Sequence, residues 1–340
     1  MFGNAKILQL ELSSMCNALC LGCHRTETIN FNETKKVIPK KQLVKLETFE
    51  KLLKSKTMST LTDLEFCGTI DDPLMHPDFD KFLSTASKIN KDFVTSVHTN
   101  GSLRSPEYFK KIGKELLKFP NHSLHFSIDG LRNTNHIYRQ KTDFDKIIEN
   151  AKAAIDSGAR VIWQYLIFPW NEHQVDQAEE LAYKMGFKSF HKRYDLSHIS
   201  ETETPESVVV KKAKNKPLPD DDFEPKDYTE KEKLEISCHS LERKMYFMGY
   251  DSKIWPCCFL HNGYFMNHGM YNHMTDRINK NYGDNFNNLE YYTMDEIVKH
   301  EFFQNDLIKS FEAKVGEGKC DKIKRCADTC TVKRKTKHDA

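Results

Sequence analysis

Residues 6–23 read KILQLELSSMCNALCLGC, and this stretch decides the fold. Its first seven positions alternate. Leu8, Leu10 and Leu12 would face one way and Gln9 and Glu11 the other, the period-two pattern of a strand. The strand runs straight into Cys16, Cys20 and Cys23, spaced C-x3-C-x2-C. Three thiolates from one short loop suit zinc poorly, because structural zinc takes four ligands and short loops usually give them in pairs. They suit a four-iron cluster, whose irons prefer thiolate and which would keep one iron open for a chelating ligand.

Outward from this loop, strand and helix signals alternate about six times. Residues 61–67 (LTDLEFC), 93–99, 124–129 (LHFSID), 160–168 and 187–194 read as strands. Helices are predicted near 41–54 and 78–90, and from Ser105-Pro106, where proline at the first helical position loses nothing. Thr142 with Asp145 resembles a capping box for the next helix, which Gly158 can close. Asn171 and Gln174 are read as caps of a helix ending at Gly186. Such alternation predicts the α/β class with parallel strands and crossover helices: a partial (β/α)6 TIM-like barrel over residues 5–195. Strand parity sends Asp63, Glu65, Cys67, His125, Ser127 and Asp129 inward, and Leu64, Phe66, Leu124, Phe126 and Ile128 out toward the helices. His98 and His125 are expected to line the interior, and Cys67 to close its strand as a small buried residue.

Bulk properties narrow the classes. Lys and Arg total 51 against 49 Asp and Glu, so charge implies neither a nucleic-acid nor a membrane partner. Residues 1–12 are too short and polar for a signal peptide, and no apolar run reaches membrane-span length. A cytoplasmic location is therefore expected. There, ten cysteines point to metal or redox groups rather than to a disulfide framework. Residues 211–235 (KKAKNKPLPDDDFEPKDYTEKEKLE) are charged and poor in large apolar residues. They separate a core at 1–200 from a small unit at 237–340, with 201–236 as the linker. The closing KRKTKHDA (333–340) reads as a solvated end.

The C-x3-C-x2-C spacing after a first strand resembles the radical S-adenosylmethionine superfamily. Four further features match in order. FCGTIDDP (66–73) is similar to the family's Gly-Gly-Glu-Pro segment, with Asp72 in the place of the glutamate. Thr99-Asn100-Gly101 ends the third strand, Ser127-Ile128-Asp129-Gly130 ends the fourth, and Arg139 stands where a family arginine often follows. Gly22 stands where the family often has an aromatic residue. The resemblance implies a (4Fe-4S) cluster on Cys16, Cys20 and Cys23, and S-adenosylmethionine bound near Gly68, Asp72, Asn100, Ser127 and Asp129, with Gln164 and Asn171, on and after the fifth strand, as weaker candidates. It also implies reductive cleavage to a 5′-deoxyadenosyl radical, with electrons from flavodoxin or ferredoxin.

Cys238, the tandem Cys257-Cys258 and Cys320-x5-Cys326-x3-Cys330 resemble the auxiliary-cluster extensions called twitch and SPASM. The full SPASM pattern has seven cysteines; here position 317 is Glu317 and no cysteine follows Cys330. The resemblance therefore implies one auxiliary (4Fe-4S) cluster on Cys238, Cys257, Cys326 and Cys330, with Cys258 and Cys320 as rivals. Such a cluster could accept an electron from a substrate radical or bind substrate. The first strand begins near Lys6, so no leader-binding extension is expected, which lowers a leader-guided peptide maturase. Other peptides, sugars, nucleotides and small metabolites stay open. Contrasting readings are a non-catalytic iron–sulfur electron-transfer protein and a zinc-binding interaction module.

Overall fold

The structure, a computed structural model, describes residues 2–26, 38, 41–194, 236–265, 272–316 and 318–330. The linker sequence 211–235, position 317 and the tail 333–340 lie outside the described residues. The chain forms two compact units. One gathers the described residues of Leu10–Leu46 and Thr62–Glu224; the other gathers those of Met1–Gln9, Glu47–Leu61 and Pro225–Ala340. These units do not follow chain order as the expected boundaries 1–200, 201–236 and 237–340 do. The amino-terminal strand β1 (Ile7–Leu10) and helix α1 (Leu46–Leu53) explain the difference. Lys6 N–H donates to the Lys244 carbonyl at 2.8 Å, and Lys56 and Thr57 N–H donate to Asp295. Both segments therefore join the carboxyl-terminal unit.

In the larger unit, β2 (Asp63–Phe66), α2 (Phe79–Ile89), β3 (Val94–Thr99), α3 (Pro106–Leu116), β4 (His122–Ser127), α4 (Phe144–Asp156), β5 (Val161–Ile167), α5 (Val175–Met185) and β6 (Ser189–Tyr194) alternate. The strands lie in the order β6-β5-β4-β3-β2 and every pair is parallel. The fold is thus the expected α/β class, a mostly parallel sheet of the open, partial-barrel kind. Parity also holds. Leu64, Phe66, Leu124, Phe126 and Ile128 are fully buried, while Glu65, His125 and Ser127 are half-buried.

Local chemistry sets the helix ends. The Ser105 hydroxyl accepts from Tyr108 N–H, with Pro106 opening α3. At α4 the cap is Asp143 rather than Thr142. The Asp143 carboxylate accepts from Asp145 and Lys146 N–H, whereas the Thr142 hydroxyl donates back to the Arg139 carbonyl at 2.6 Å. A carboxylate also suits the positive end of the helix dipole. Asn171 and Gln174 stand at the N-cap positions of the turn Glu172–Gln174 and of α5, but neither side chain bonds a helix N–H; that of Asn171 bonds strand ends instead. Gly186 closes α5 in the left-handed region, as expected.

In the smaller unit, β7 (Met245–Met248) and β8 (Ile254–Trp255) pair antiparallel. Helices α6 (Cys258–Phe265), α7 (Asn272–Tyr282) and α8 (Lys324–Cys330) follow. Trp255, Phe286, Phe302 and Phe303 form an edge-to-face aromatic core. Among the described residues no helix is long and apolar enough to cross a membrane.

Gly101 ends β3 at φ +73, and a Cβ there would lie 2.5 Å from the Phe126 ring. Gly101→Ala therefore combines backbone strain with overpacking. It should cost about 1–3 kcal/mol by denaturant titration. Gly3→Ala, where a Cβ meets nothing within 4 Å, should stay within about 0.5 kcal/mol. Equal midpoints for the two variants would refute this reading of the turn.

Candidate active site

The loop carrying Cys16, Cys20 and Cys23 is shaped by main-chain bonds. Leu19 N–H donates to the Gln140 carbonyl at 3.0 Å and Leu21 N–H to the Tyr138 carbonyl at 3.1 Å. Gly22, at φ +64, makes the turn that lets Cys23 N–H reach the Cys20 carbonyl at 3.3 Å. A bulky residue would be strained there, which accounts for glycine at that position. The loop packs on Tyr138, Phe168 and Trp170, the last two stacked at 4.6 Å.

Burial, with the neighbouring cysteines adding to it, pushes the Cys16 thiol well above its ordinary range and the Cys20 thiol to about 11. Two side chains nevertheless aim N–H groups at these sulfurs. Asn100 Nδ2 lies 3.8 Å from Cys16 Sγ, and Arg139 Nη1 lies 3.7 Å from Cys20 Sγ. Sulfurs that resist ionisation together, yet receive donors, fit thiolates neutralised by a bound iron–sulfur cluster. Cys16, Cys20 and Cys23 would hold it.

Asp72 braces this loop. Its N–H donates to the Met15 carbonyl at 2.9 Å. Its buried carboxylate accepts from Leu74 N–H, the Thr99 hydroxyl, Asn100 N–H and Asn100 Nδ2. Asn100 Nδ2 also reaches Asn17 Oδ1 at 2.9 Å. Asp72 thus sets where Asn100 points. Burial raises the Asp72 carboxyl, and these donors oppose the rise.

Sequence reasoning missed Glu11 and Asp71. Glu11 is fully buried and accepts from Thr69 and Ile70 N–H; Asp71 Oδ2 accepts from Leu12 and Ser13 N–H at 3.0 and 3.1 Å. Burial, with Glu11 beside it, pushes Asp71 well up. Asp71 folds over Gly68 so closely that a Cβ there would overlap its carboxylate at 1.8 Å. The consecutive acids before Pro73 were the available signal.

Asp129 anchors the opposite side. It is 0% exposed and accepts from Arg139 Nε at 2.6 Å and Leu166 N–H at 2.7 Å. Its N–H donates to Asn135 Oδ1, and its carbonyl accepts from Asn171 Nδ2. Asn171 Nδ2 also donates to the Leu166 carbonyl, so Asn171 fastens the ends of β4 and β5 together. Ser127, Asp129, Arg139 and Gln164 line one cavity of about 250 Å³. His98 and His125 stack at 4.3 Å with rings nearly parallel, and His98 Nδ1 meets Gln164 Oε1 at 3.2 Å. Cys67 is half-buried just beyond β2.

In the smaller unit, Cys238, Cys257, Cys326 and Cys330 line a second cavity of about 220 Å³, with Cys258 beside them. Cys257 is pushed to about 12 by burial and by Cys258, Cys238 and Cys330; Cys326 is pushed well up by burial and by Cys257, Cys238 and Cys330. Cys320 is exposed and turned to Asp306 Oδ1 at 3.6 Å, apart from this cavity. Among the described residues no three His, Cys, Asp or Glu side chains are grouped as one metal ion would need. A cluster sets different demands, since each thiolate binds its own iron.

The structure thus presents a parallel α/β sheet with three cysteines beyond the chain's first strand. The Radical SAM superfamily model matches residues 10–182, and the chain belongs to that superfamily. Among solved structures, Streptococcus suis SuiB bound to S-adenosylmethionine is similar at TM-score 0.52 and 14% identity, over 76% of this chain and 61% of SuiB. The chain thus spans about three-fifths of that neighbour's length. SuiB bound to precursor peptide SuiA matches at TM-score 0.55 and 13% identity, over 93% of this chain and 69% of that one. Native anSMEcpe with bound AdoMet and Cp18Cys peptide matches at 0.54 and 16% identity, over 96% and 88%. No curated protein sequence matches the chain.

The Asp129–Arg139 pair is almost fully enclosed, with side-chain exposures of 1% and 17%. Arg139→Met strands a buried carboxylate, so it should cost about 3–5 kcal/mol in denaturant titration. Asp129→Asn on top of it should recover part of that loss. A double variant no more stable than the single one would show that the charge is not what the site holds.

Proposed function

We propose that this chain is a radical S-adenosylmethionine enzyme acting on a peptide, in the cytosol, with a second iron–sulfur cluster in its carboxyl-terminal unit. The observation that carries the reading is the thiol trio of Cys16, Cys20 and Cys23, with Cys20 buried, the other two half-buried, and the donors of Asn100 and Arg139 aimed at two of the sulfurs. When bound, the cluster and S-adenosylmethionine supply a 5′-deoxyadenosyl radical that abstracts hydrogen from the substrate. The chain's own residues position and shield. Asn100 and Arg139 hold the sulfurs, and Asp72 and Asp129 hold Asn100 and Arg139. Gly68, Ser127 and Gln164 offer small or polar surface to S-adenosylmethionine. Tyr138, Phe168 and Trp170 keep water from the cysteine loop.

The functional division is 1–200 as radical core, 201–236 as linker and 237–340 as auxiliary-cluster unit. Cys238, Cys257, Cys326 and Cys330 are the auxiliary ligands, supported by their shared cavity and mutual electrostatic influence. Ser237 N–H donating to the Cys330 carbonyl at 2.9 Å clips the two ends of that set together. A peptide substrate is supported by two neighbours of the same fold whose structures hold peptides, SuiB with SuiA and anSMEcpe with Cp18Cys. A flavodoxin or ferredoxin is the fitting reductant.

Anaerobic reconstitution with iron and sulfide tests the proposal. The wild-type protein, reduced, should release 5′-deoxyadenosine from S-adenosylmethionine. Replacing Cys16, Cys20 and Cys23 together by Ala should abolish that release and remove one cluster's iron while the second cluster remains. Release by the triple variant would end the catalytic assignment. Cys330→Ala should lower iron to about one cluster's worth and expose residues 238–330 to protease, because metal binding and folding are coupled there. Unchanged iron would exclude Cys330 as a ligand, and loss in Cys258→Ala or Cys320→Ala instead would reassign its place.

A further inference from the structure

We propose that the substrate presents an anionic group, a carboxylate or a phosphate, to Arg193 and His191 on the inner face of β6. This deepens the enzyme reading above and rests on it. The register of the sheet builds the site. Ser127, Gln164 and His191 stand level across β4, β5 and β6, and Leu166 stands level with Arg193 one inward step further on. These residues and Asp129 line the cavity of about 250 Å³.

The charge balance in that cavity is positive. Asp129 has both carboxylate oxygens engaged, by Arg139 and by Leu166 N–H. Lys192 also borders the cavity, but its ammonium is paired with Glu179 at 2.7 Å. Arg193 is close enough to Asp129 and to His98 to act electrostatically on both. Among the described residues, however, no ion pair or side-chain hydrogen bond engages its guanidinium. Arg193 is exposed at the cavity wall, and a guanidinium fork there matches the two oxygens of a carboxylate or phosphate.

The floor beside it is polar. His98 and His125 lie face to face at 4.3 Å, and the His191 ring is 6.4 Å from that of His125. Burial, with His98 and His191 beside it, holds His125 down at about 3, so it hydrogen-bonds as an uncharged ring at neutral pH. Its Nε2 meets Ser123 Oγ at 2.8 Å, while its Nδ1 is buried with no hydrogen-bond partner. Three imidazoles and a guanidinium on adjacent inward positions are unsuited to a cationic or wholly apolar group. They suit an anion whose charge falls on Arg193 and whose neighbouring polar atoms meet His191.

The test uses the cluster-reconstituted full chain loaded with S-adenosylmethionine. It is titrated calorimetrically with inorganic phosphate, with a capped pentapeptide carrying a central Glu, and with the same peptide carrying Gln. Phosphate or the Glu peptide should bind about ten-fold or more tightly than the Gln peptide; which of the two does so separates a phosphate source from a carboxylate source. Arg193→Gln should erase that preference and Arg193→Lys should restore part of it, with S-adenosylmethionine affinity within about two-fold of wild type throughout. Equal binding of all three probes overturns the proposal. So does a large loss of S-adenosylmethionine affinity in Arg193→Gln, which would give the arginine to that ligand. Failure of the enzyme reading is seen separately, as absence of 5′-deoxyadenosine from the reduced wild-type protein.

Discussion

The carboxylate of Asp129 sits where β4 ends, wholly out of water, and four connections leave that one residue. Arg139 takes one oxygen and carries the connection to Cys20. Leu166 N–H takes the other and fixes the end of β5. Asn135 receives the Asp129 N–H, and Asn171 donates to its carbonyl. A buried ion pair adds little net stability by itself, because desolvation offsets most of the attraction. It specifies geometry instead: any arrangement that separates Asp129 from Arg139 leaves a bare charge inside the protein. The orientation of the guanidinium toward the cysteine loop follows from that penalty.

Asp72 plays the matching part on the other side of the loop. It grips the end of β3 through Thr99 and Asn100, and the loop itself through the Met15 carbonyl. The cysteine loop therefore rests between two acid-centred brackets, one reaching Cys16 through Asn100 and one reaching Cys20 through Arg139. Neither bracket touches the cavity through a free carboxylate oxygen. This makes positioning the main task of both acids, and it shifts direct recognition toward Gln164, Ser127 and the cationic inner face of β6.

The smaller unit solves a different problem with the same chemistry. Its described secondary structure is a two-strand pair and mostly short helices, held by an aromatic core around Trp255 and Phe286. Cysteines from three separate segments meet in one cavity there, and burial resists their ionisation. Four thiols lining one cavity, with ionisation opposed by burial, are poorly placed as free acids and well placed as metal-bound thiolates. Cys320 lies outside this group because Arg277 binds the carbonyls of Gly316, Lys319 and Asp321 and so holds its loop at the surface.

Sequence alone determined the strand–helix rhythm, the inward and outward faces, and the cysteine loop. Each of these is carried by local spacing: period two in LHFSID, helical spacing between caps, three cysteines within eight residues. It also reached the family, because that family's signature is short and lies just past a strand. Tertiary structure decided what depends on partners distant in the chain. Asn171 reads locally as a helix cap, yet its amide spans Asp129 and Leu166, a use that no window around residue 171 contains. Glu11 reads as the polar face of a half-buried strand, but it is enclosed and caps the Thr69–Ile70 main chain from 58 residues away. No local spacing in HKRY (191–194) sets Arg193 apart from Lys192. Only the register of β6 on β5 brings Arg193 near Asp129 and pairs Lys192 with Glu179. Hydrogen-bond partners and charge balance are properties of the folded sheet, and the linear pattern fixes neither.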